Sequence, residues 1–316
     1  NYMVNWCTHD GALSDIEVEY EQNKGKLYHL KYFLKNSTDF LVVATTRPET
    51  YFGDTAVMVH PEDERYKHLI GKSVILPLID REITIIGDEH VDMSFGTGCV
   101  KVTPAHDTND YEVGKRHHLE FITIFDENGI LNEYCGAFKG LERLEAREPI
   151  VAKLQSLGFV DKIEDYENQV GHCYRCKNVV EPYISKQWFV KKEIADGAIA
   201  KVNAHLAQFY PSHWINSYNA WMKELRDWCI SRQLWWGHQI PVFYCDTCGH
   251  EWASEKEHEH TCPQCQSTHI HQDPDVLDTW FSSGLWTVST LGWGNEDAYK
   301  NDKWFEGDLS EFYPNT

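Results

Sequence analysis

A chain of 316 residues is long enough for two or three domains. Its 42% hydrophobic and 13% aromatic content supports real cores, and the absence of a run of roughly eighteen apolar residues argues against a membrane-spanning helix. A net charge of −20, from 49 acidic and 29 basic residues, argues against a general nucleic-acid chaperone and leaves room only for a local RNA contact.

No secretory leader is evident, and a chain opening Asn1-Tyr2-Met3 is expected to be excised from a longer protein. Of the ten cysteines, six stand in Cys-x-x-Cys pairs: Cys173/Cys176, Cys245/Cys248 and Cys262/Cys265. That spacing suits tetrahedral zinc better than disulfides, and the cytoplasm better than an oxidising compartment.

Residues 1–20 are expected to form an incoming strand and linker. Leu13 to Tyr20 alternates with acidic outward positions, and Cys7-Thr8-His9-Asp10 precedes it. Residues 21–165 read as one compact unit. Short strands recur near 26–34, 40–45, 55–60, 73–76, 82–86, 98–103 and 121–125, separated by Gly, Pro, Asn and Asp turns. Helical patterns cover 61–71, with Pro61 in the first turn and Gly71 past the end, and Tyr111 to Leu119 after the cap-type run from Asp107 to Asp110. A third covers Glu142 to Leu157, where Pro149 implies a kink or a later start. Many short strands with few long helices predict a barrel-like sheet decorated by helices.

Two polar corners stand out. Phe40 to Thr45 is apolar and β-branched, and Thr46, Arg47, Pro48, Glu49 and Thr50 crowd hydroxyls, a guanidinium and a carboxylate before the next strand at Thr55. Residues 95–110 repeat the plan: Phe95 and a glycine turn, the short strand through Lys101, then Thr103, Asp107 and Asp110 at a helix start. The two corners can share a pocket if their strands pair.

Residues 166–190 hold Cys173 and Cys176, half a zinc site on a return linker. The missing ligands could come from Cys7 with His9 or Asp10, with His172 a further candidate; the other reading is unmetallated thiols in a tight turn. Lys191 to Phe209 and Asn216 to Ser231 read as helices, the second with a core-facing stripe of Trp221, Leu225 and Trp228. Aromatic core packing suits most of the stretch around Trp235 and Trp236. Cys245, Cys248, Cys262 and Cys265 form the strongest metal signal, a structural zinc ribbon over 243–270 with no open coordination position. Five histidines nearby read as solvated loop residues.

Four runs carry a resemblance: TTRPETYFGDTAV at 45–57, FGTGCVKVTPAHDTND at 95–110, ISRQLWWGHQIP at 230–241 and DVLDTWFSSGLW at 275–286. They resemble the valyl-tRNA synthetases, class I aminoacyl-tRNA synthetases, the first two the editing domain and the last two the catalytic core. The leucyl family typically follows TTRP with Asp-Thr, and the isoleucyl family has a TTTPWT-like stretch. The resemblance implies an α/β chain: a β-barrel-like editing domain with peripheral helices at 21–165, and a partial Rossmann-type catalytic core with the zinc ribbon at 191–316. Its incoming strand often carries a Cys-x-x-Cys, of which only Cys7 is present here.

The activity implied is hydrolysis of threonyl-tRNA(Val) at the tRNA 3′ end, with threonine or valine as the acyl group. The need is physical, since a hydrophobic pocket rejects poorly an isostere that adds only a hydroxyl. Arg47, Thr46, Thr50 and Phe95 would bind substrate, with Arg47 and Lys101 holding the terminal nucleotide or the acyl end. Asp107 would anchor the ammonium or position water, and Asp110 would accept the threonine hydroxyl; Lys101 and Thr103 complete the set. Water is expected to attack without a covalent intermediate, Cys99 having no evident histidine partner and His106 reading as a cap or core histidine. Zinc would be structural. ATP would serve only the parent, a monomeric cytoplasmic valine–tRNA ligase, since the ATP motifs are absent from these residues. Editing by a leucyl or isoleucyl relative, or a zinc-stabilised scaffold that only docks tRNA, are the rival readings.

Overall fold

The computed structural model describes residues 2–94, 96–223, 225–256 and 258–290. Contacts divide the chain into two compact units, Asn1–Lys186 and Gln187–Thr316. No helix among the described residues is long and apolar enough to cross a membrane.

In the first unit, β1 (Tyr2–Cys7) and β2 (Gly11–Leu13) form a hairpin. The single strand expected over Leu13–Tyr20 is broken, because Ser14 donates from both its backbone N–H and its hydroxyl to Glu17 at 2.8 Å and closes a 3-10 turn. The chain then enters β3 (Val18–Leu34), which organises the unit. β4 (Phe40–Thr45) pairs along one edge of β3. β5 (Ala56–Val59), β6 (Ser73–Leu76), β7 (Arg81–Gly87) and β8 (Cys99–Val102) follow, then α1 (Thr108–Arg116), α2 (Arg147–Ser156), β9 (Val160–Cys173) and β10 (Glu181–Ser185). The other edge of β3 takes β9 over Val18–Leu30 and then β6 at Phe33 and Leu34.

The seven-stranded sheet runs β4-β3-β6-β7-β5-β8 with β9 branching off β3, and β4 and β8 approach each other, so it nearly closes into a barrel. Tyr32, Val43, Tyr51, Phe52, Val57, Ile85, Ile124 and Ile150 are fully buried inside and beside it. Full burial of a large apolar side chain is worth roughly 1.5–3 kcal/mol. The far halves of β3 and β9 project as an exposed two-stranded ribbon. At its base β1 pairs with β10, so the chain enters and leaves side by side.

Three local expectations change. Residues 61–71 make turns and only a 3-10 turn at Lys67–Leu69, because the Asp63 carboxylate captures the Arg65 N–H at 3.0 Å and competes with a helix. Residues 121–125 form no strand beyond an isolated antiparallel bridge of Phe125 to Leu131, and Ile124 donates to His106 at 2.9 Å. The helix expected from Glu142 starts later, at Arg147, and places Pro149 in a first turn that lacks intrahelical N–H partners anyway.

The second unit holds β11 (Phe189–Val190), α3 (Asp196–Asn203), α4 (Trp214–Lys223), β12 (Trp228–Cys229) and β13 (Ser231–Arg232). β14 (Val242–Cys245), β15 (Glu251–Ala253) and β16 (Ile270–Gln272) form a small antiparallel sheet, and β17 (Val276–Leu277), α5 (Thr279–Gly284) and α6 (Trp286–Ser289) follow. The helix expected over Asn216–Ser231 stops early, because Trp228 and Cys229 turn extended and pair with Phe189 and Val190. Its stripe therefore breaks up: Trp221 is 70% exposed and Leu225 37%. Trp235 and Trp236, 96% and 77% exposed, are not core residues either. Among the described residues every strand pair of this unit is antiparallel, so the Rossmann-type part remains an expectation.

Candidate functional site

β5 pairs antiparallel with β8, Ala56 opposite Val102 and Val57 opposite Lys101, which sets the two polar corners side by side. Gly53 permits the close approach: a Cβ there would meet the Ile122 carbonyl and the Thr103 methyl at 3.0 Å. Together with Tyr166 and Asn168 of β9, the corners line an open cleft of about 940 Å³. Thr46, Arg47 and Thr50 reach it from the first corner, and Lys101, Thr103, Asp107 and Asp110 from the second. Phe95 lies outside the described residues.

Lys101 is buried in the cleft wall. Its ammonium donates to Thr50 Oγ1 at 3.1 Å, to Asp54 Oδ1 at 3.0 Å and to Thr103 Oγ1. An ammonium has three donors, and all three are committed within the protein. Lys101 is therefore pinned in the cleft wall. Asp54, which sequence reasoning passed over, also accepts from Thr103 Oγ1 and Tyr32 OH, both at 2.6 Å. Burial raises its carboxyl above the ordinary value against the pull of Lys101, Thr103 and Tyr32. A carboxylate right after the buried run Tyr51-Phe52-Gly53 was the signal available.

Asp107 and Asp110 divide their tasks. Asp107 is the N-cap of α1, its Oδ1 accepting from the N–H groups of Asn109 at 2.8 Å and Asp110 at 3.0 Å. Asp110 stands three residues on but makes no capping box: its Oδ2 turns back across the corner to the Thr103 N–H at 2.8 Å. Burial and the neighbouring Asp107 push its carboxyl up to about 7, with Lys101 opposing.

Arg47 is also engaged. It donates to the His106 carbonyl at 2.7 Å and pairs with Glu181, and its Nε lies 3.6 Å from Glu49. Glu49 in turn takes Arg147 through both oxygens, at 2.7 and 2.8 Å, and Glu181 takes Arg143 at 2.8 Å. Alternating charges thus run Arg147, Glu49, Arg47, Glu181, Arg143, with both glutamates buried. This chain of pairs leaves Arg47 facing the cleft as a held, partly exposed cation. His106 is a core histidine: fully buried, packed on Phe125, accepting the Ile124 N–H through Nε2, and kept neutral by burial. Burial pushes Cys99 up to about 11, so its thiol stays protonated.

Two cysteine clusters meet the geometry of a metal site. Cys245, Cys248, Cys262 and Cys265 come together between the turns of the β14–β16 sheet. In the first unit Cys7, Cys173 and Cys176 gather with Asp10, while His9 points into solvent and His172 binds the Val170 carbonyl at 3.0 Å. Sulfur separations of 3.4 Å for Cys7–Cys176, 3.5 Å for Cys245–Cys265 and 3.7 Å for Cys248–Cys262 approach the ~3.8 Å edge of a tetrahedron with Zn–S of about 2.3 Å. All ten cysteines are free thiols, so the donor sets fit zinc. Elsewhere in the second unit, buried Arg232 pairs with buried Asp278 at 2.5 Å, joining the motif around Arg232 to the one around Asp278.

Over 316 residues the chain is 74% identical to Valine--tRNA ligase of Wolinella succinogenes, covering 100% of this chain and 35% of that protein. It is 72% identical to Valine--tRNA ligase of Campylobacter jejuni, covering 36% of it, and 56% identical over 315 residues to that of Thermotoga maritima, covering 35%. The chain thus spans about a third of the length of these relatives. A leucyl-tRNA synthetase ternary complex from Agrobacterium radiobacter aligns with 86% of this chain and 32% of its own at 17% identity and a TM-score of 0.36, too distant to bear on the fold. Residues 1–311 match the family described as tRNA synthetases class I (I, L, M and V), and the chain belongs to that family.

Proposed function

We propose that this chain is the editing part of a valyl-tRNA synthetase, clearing threonine from tRNA(Val) in the cleft between the two polar corners. The reading is supported above all by the placement of Asp110: a buried carboxylate in the cleft wall, of which, among the described residues, one oxygen is engaged, by the Thr103 N–H. Threonine offers that group a hydroxyl; valine offers a methyl. A charge-assisted hydrogen bond to the hydroxyl selects the one acyl group that the synthetic site admits in error.

Hydrolysis needs a water oxygen to bond to the acyl carbon while the bond to the ribose oxygen breaks, releasing threonine and the free ribose hydroxyl. Neither Cys99 nor His106 is arranged as a nucleophile–base pair, which supports attack by a positioned water. Lys101 holds Thr50 and Thr103 in place and, with Arg47, supplies positive potential beside the ester. The carboxylate of Asp107 is set to meet the substrate ammonium while it caps α1. Phe95 would add an apolar wall.

The same proposal extends outward. Residues 21–165 would be the editing domain, with 1–20 and 166–190 as its stem and 191–316 a part of the catalytic core. Zinc would be structural at both clusters and carry out no step. The whole parent would be a monomeric, cytoplasmic ligase joining valine to tRNA(Val) with ATP. Mixing the chain with threonyl-tRNA(Val), isoleucyl-tRNA(Leu) and valyl-tRNA(Ile) tests the assignment. Clearance of the first alone is expected; clearance of either other substrate in preference, or of none, contradicts it.

A further inference from the structure

We propose that Glu181, a buried residue of the strand by which the chain leaves the unit, is the positioning residue of Arg47: it fixes the plane of the cleft's guanidinium from outside both polar corners. The inference rests on the editing reading for its rate effects, and on geometry alone for the positioning itself.

Glu181 lies in β10, whose partner is β1, and its register partner there is Trp6. Both strands are tied to their surroundings. Trp6 donates its indole N–H to the Glu127 carbonyl at 2.7 Å, and Tyr183 stacks on Phe125 with ring centroids 6.0 Å apart. Glu181 is buried and does not line the cleft, so it can act on a substrate only through a neighbour. Its two oxygens are divided: Oε2 takes Nη2 of Arg47, and Oε1 takes Nε of Arg143 at 2.8 Å. Arg143 is itself buried and anchored, donating also to Glu142 and to the Val179 carbonyl.

A guanidinium is flat, so two hydrogen bonds from different nitrogens fix its plane, whereas one lets it turn. Arg47 has those two, Nη2 to Glu181 and Nη1 to the His106 carbonyl at 2.7 Å. Among the described residues Glu49 is the other carboxylate within ion-pair distance, but 3.6 Å to Nε is too long for a hydrogen bond. Both Glu49 oxygens are taken by Arg147, at 2.7 and 2.8 Å. Without Glu181 one hydrogen bond from the guanidinium would remain, and a side chain already a quarter exposed would swing in the cleft. The cation that faces the cleft is thus aimed by a residue 134 positions away in the chain.

Glu181→Gln alone would leave Arg47 and Arg143 facing one uncharged amide. The paired variant Arg143→Gln/Glu181→Gln removes one charge of each sign, and Arg143→Gln is its reference, because Arg143 reaches Arg47 through Glu181. In deacylation of threonyl-tRNA(Val) by the 316-residue chain, the double variant should fall about a hundredfold below the reference in kcat/KM, the scale of a displaced group. In an Arg47→Ala background the added Glu181→Gln change should have no further effect, since nothing is left to position. Equal rates in the double variant and the reference, or a hundredfold loss that persists without Arg47, overturns the proposal.

A second measurement depends neither on activity nor on the Glu181 variants folding. In the wild-type chain, the Arg47 guanidinium, identified as the signal lost in Arg47→Lys, should turn slowly and give separate Nη proton signals in nitrogen-edited NMR. Signals averaged as for a surface arginine overturn the positioning claim. If wild type leaves threonyl-tRNA(Val) intact while the Arg47 guanidinium turns slowly, the editing reading falls and the anchoring of Arg47 by Glu181 stands.

Discussion

Asp110 occupies the third position of α1, where a carboxylate ordinarily serves the helix dipole for about 0.3–1 kcal/mol. Here Asp107 alone does the capping, and Asp110 is turned inward to Thr103. That burial has a pH signature. The folded chain holds the Asp110 proton up to about 7, whereas the unfolded chain releases it near the ordinary value of 3.8. Between those values the native state binds the extra proton. Its contribution to stability is therefore full below about pH 4 and lost as pH rises through about 7. Urea unfolding across that window should show the wild type weakening relative to Asp110→Asn, which has no proton to release. Parallel pH profiles for the two proteins would contradict this. Glu49 makes a different case, since it answers both Arg47 and Arg147 with no exposure of its own. Glu49→Ala should cost roughly 3 kcal/mol, the low end for breaking a buried pair, because both arginines stay partly exposed. A loss below about 0.5 kcal/mol in chemical denaturation would place the charge chain among ordinary surface pairs.

At the scale of elements, the cysteine turns are the sharpest case. Two ions per chain are expected, one lost in Cys245→Ser and the other in Cys173→Ser or Asp10→Ala, counted by metal analysis of the purified variants. A chain with one ion, unaffected by Cys173→Ser, would leave the Cys7–Asp10–Cys173–Cys176 cluster a set of bare thiols. The Cys-x-x-Cys spacings were legible because ligand geometry is written locally, two residues to a turn. The same holds for β4, β5 and the Asp107 cap, where β-branched runs and cap-type residues speak for themselves. β9 was not legible: Val160–Cys173 is mostly polar and exposed, and only its long partner β3 makes it a strand. The partners of Arg47 were hidden for a related reason. Glu181 lies 134 residues away, and no local pattern announces a pair closed by tertiary folding. Asp54 escapes sequence reasoning although it lies inside the TTRPETYFGDTAV run, because a lone carboxylate after a glycine reads as a turn. The stripe of α4 failed in the opposite sense, with an apolar periodicity present but no core beneath Trp221.

For the whole molecule, the charge of −20 shapes how tRNA is met. An acidic body repels the phosphate backbone, so contact should be confined to a few nucleotides at the 3′ end. The logarithm of the binding constant should then fall with the logarithm of salt at a slope of about −1 to −2, each single-strand phosphate contributing about −0.7. A slope steeper than about −5 would contradict this and point to an extended basic face. The most direct measurement joins this scale to the first: single-turnover deacylation of threonyl-tRNA(Val) by the wild-type chain and by Asp110→Asn. The variant keeps the size of the side chain and weakens the acceptor, leaving the Asp107 cap untouched. The account predicts rapid clearance by wild type and a rate about thirtyfold to a thousandfold lower for Asp110→Asn, with both proteins unfolding cooperatively. Clearance by Asp110→Asn at the wild-type rate would contradict it.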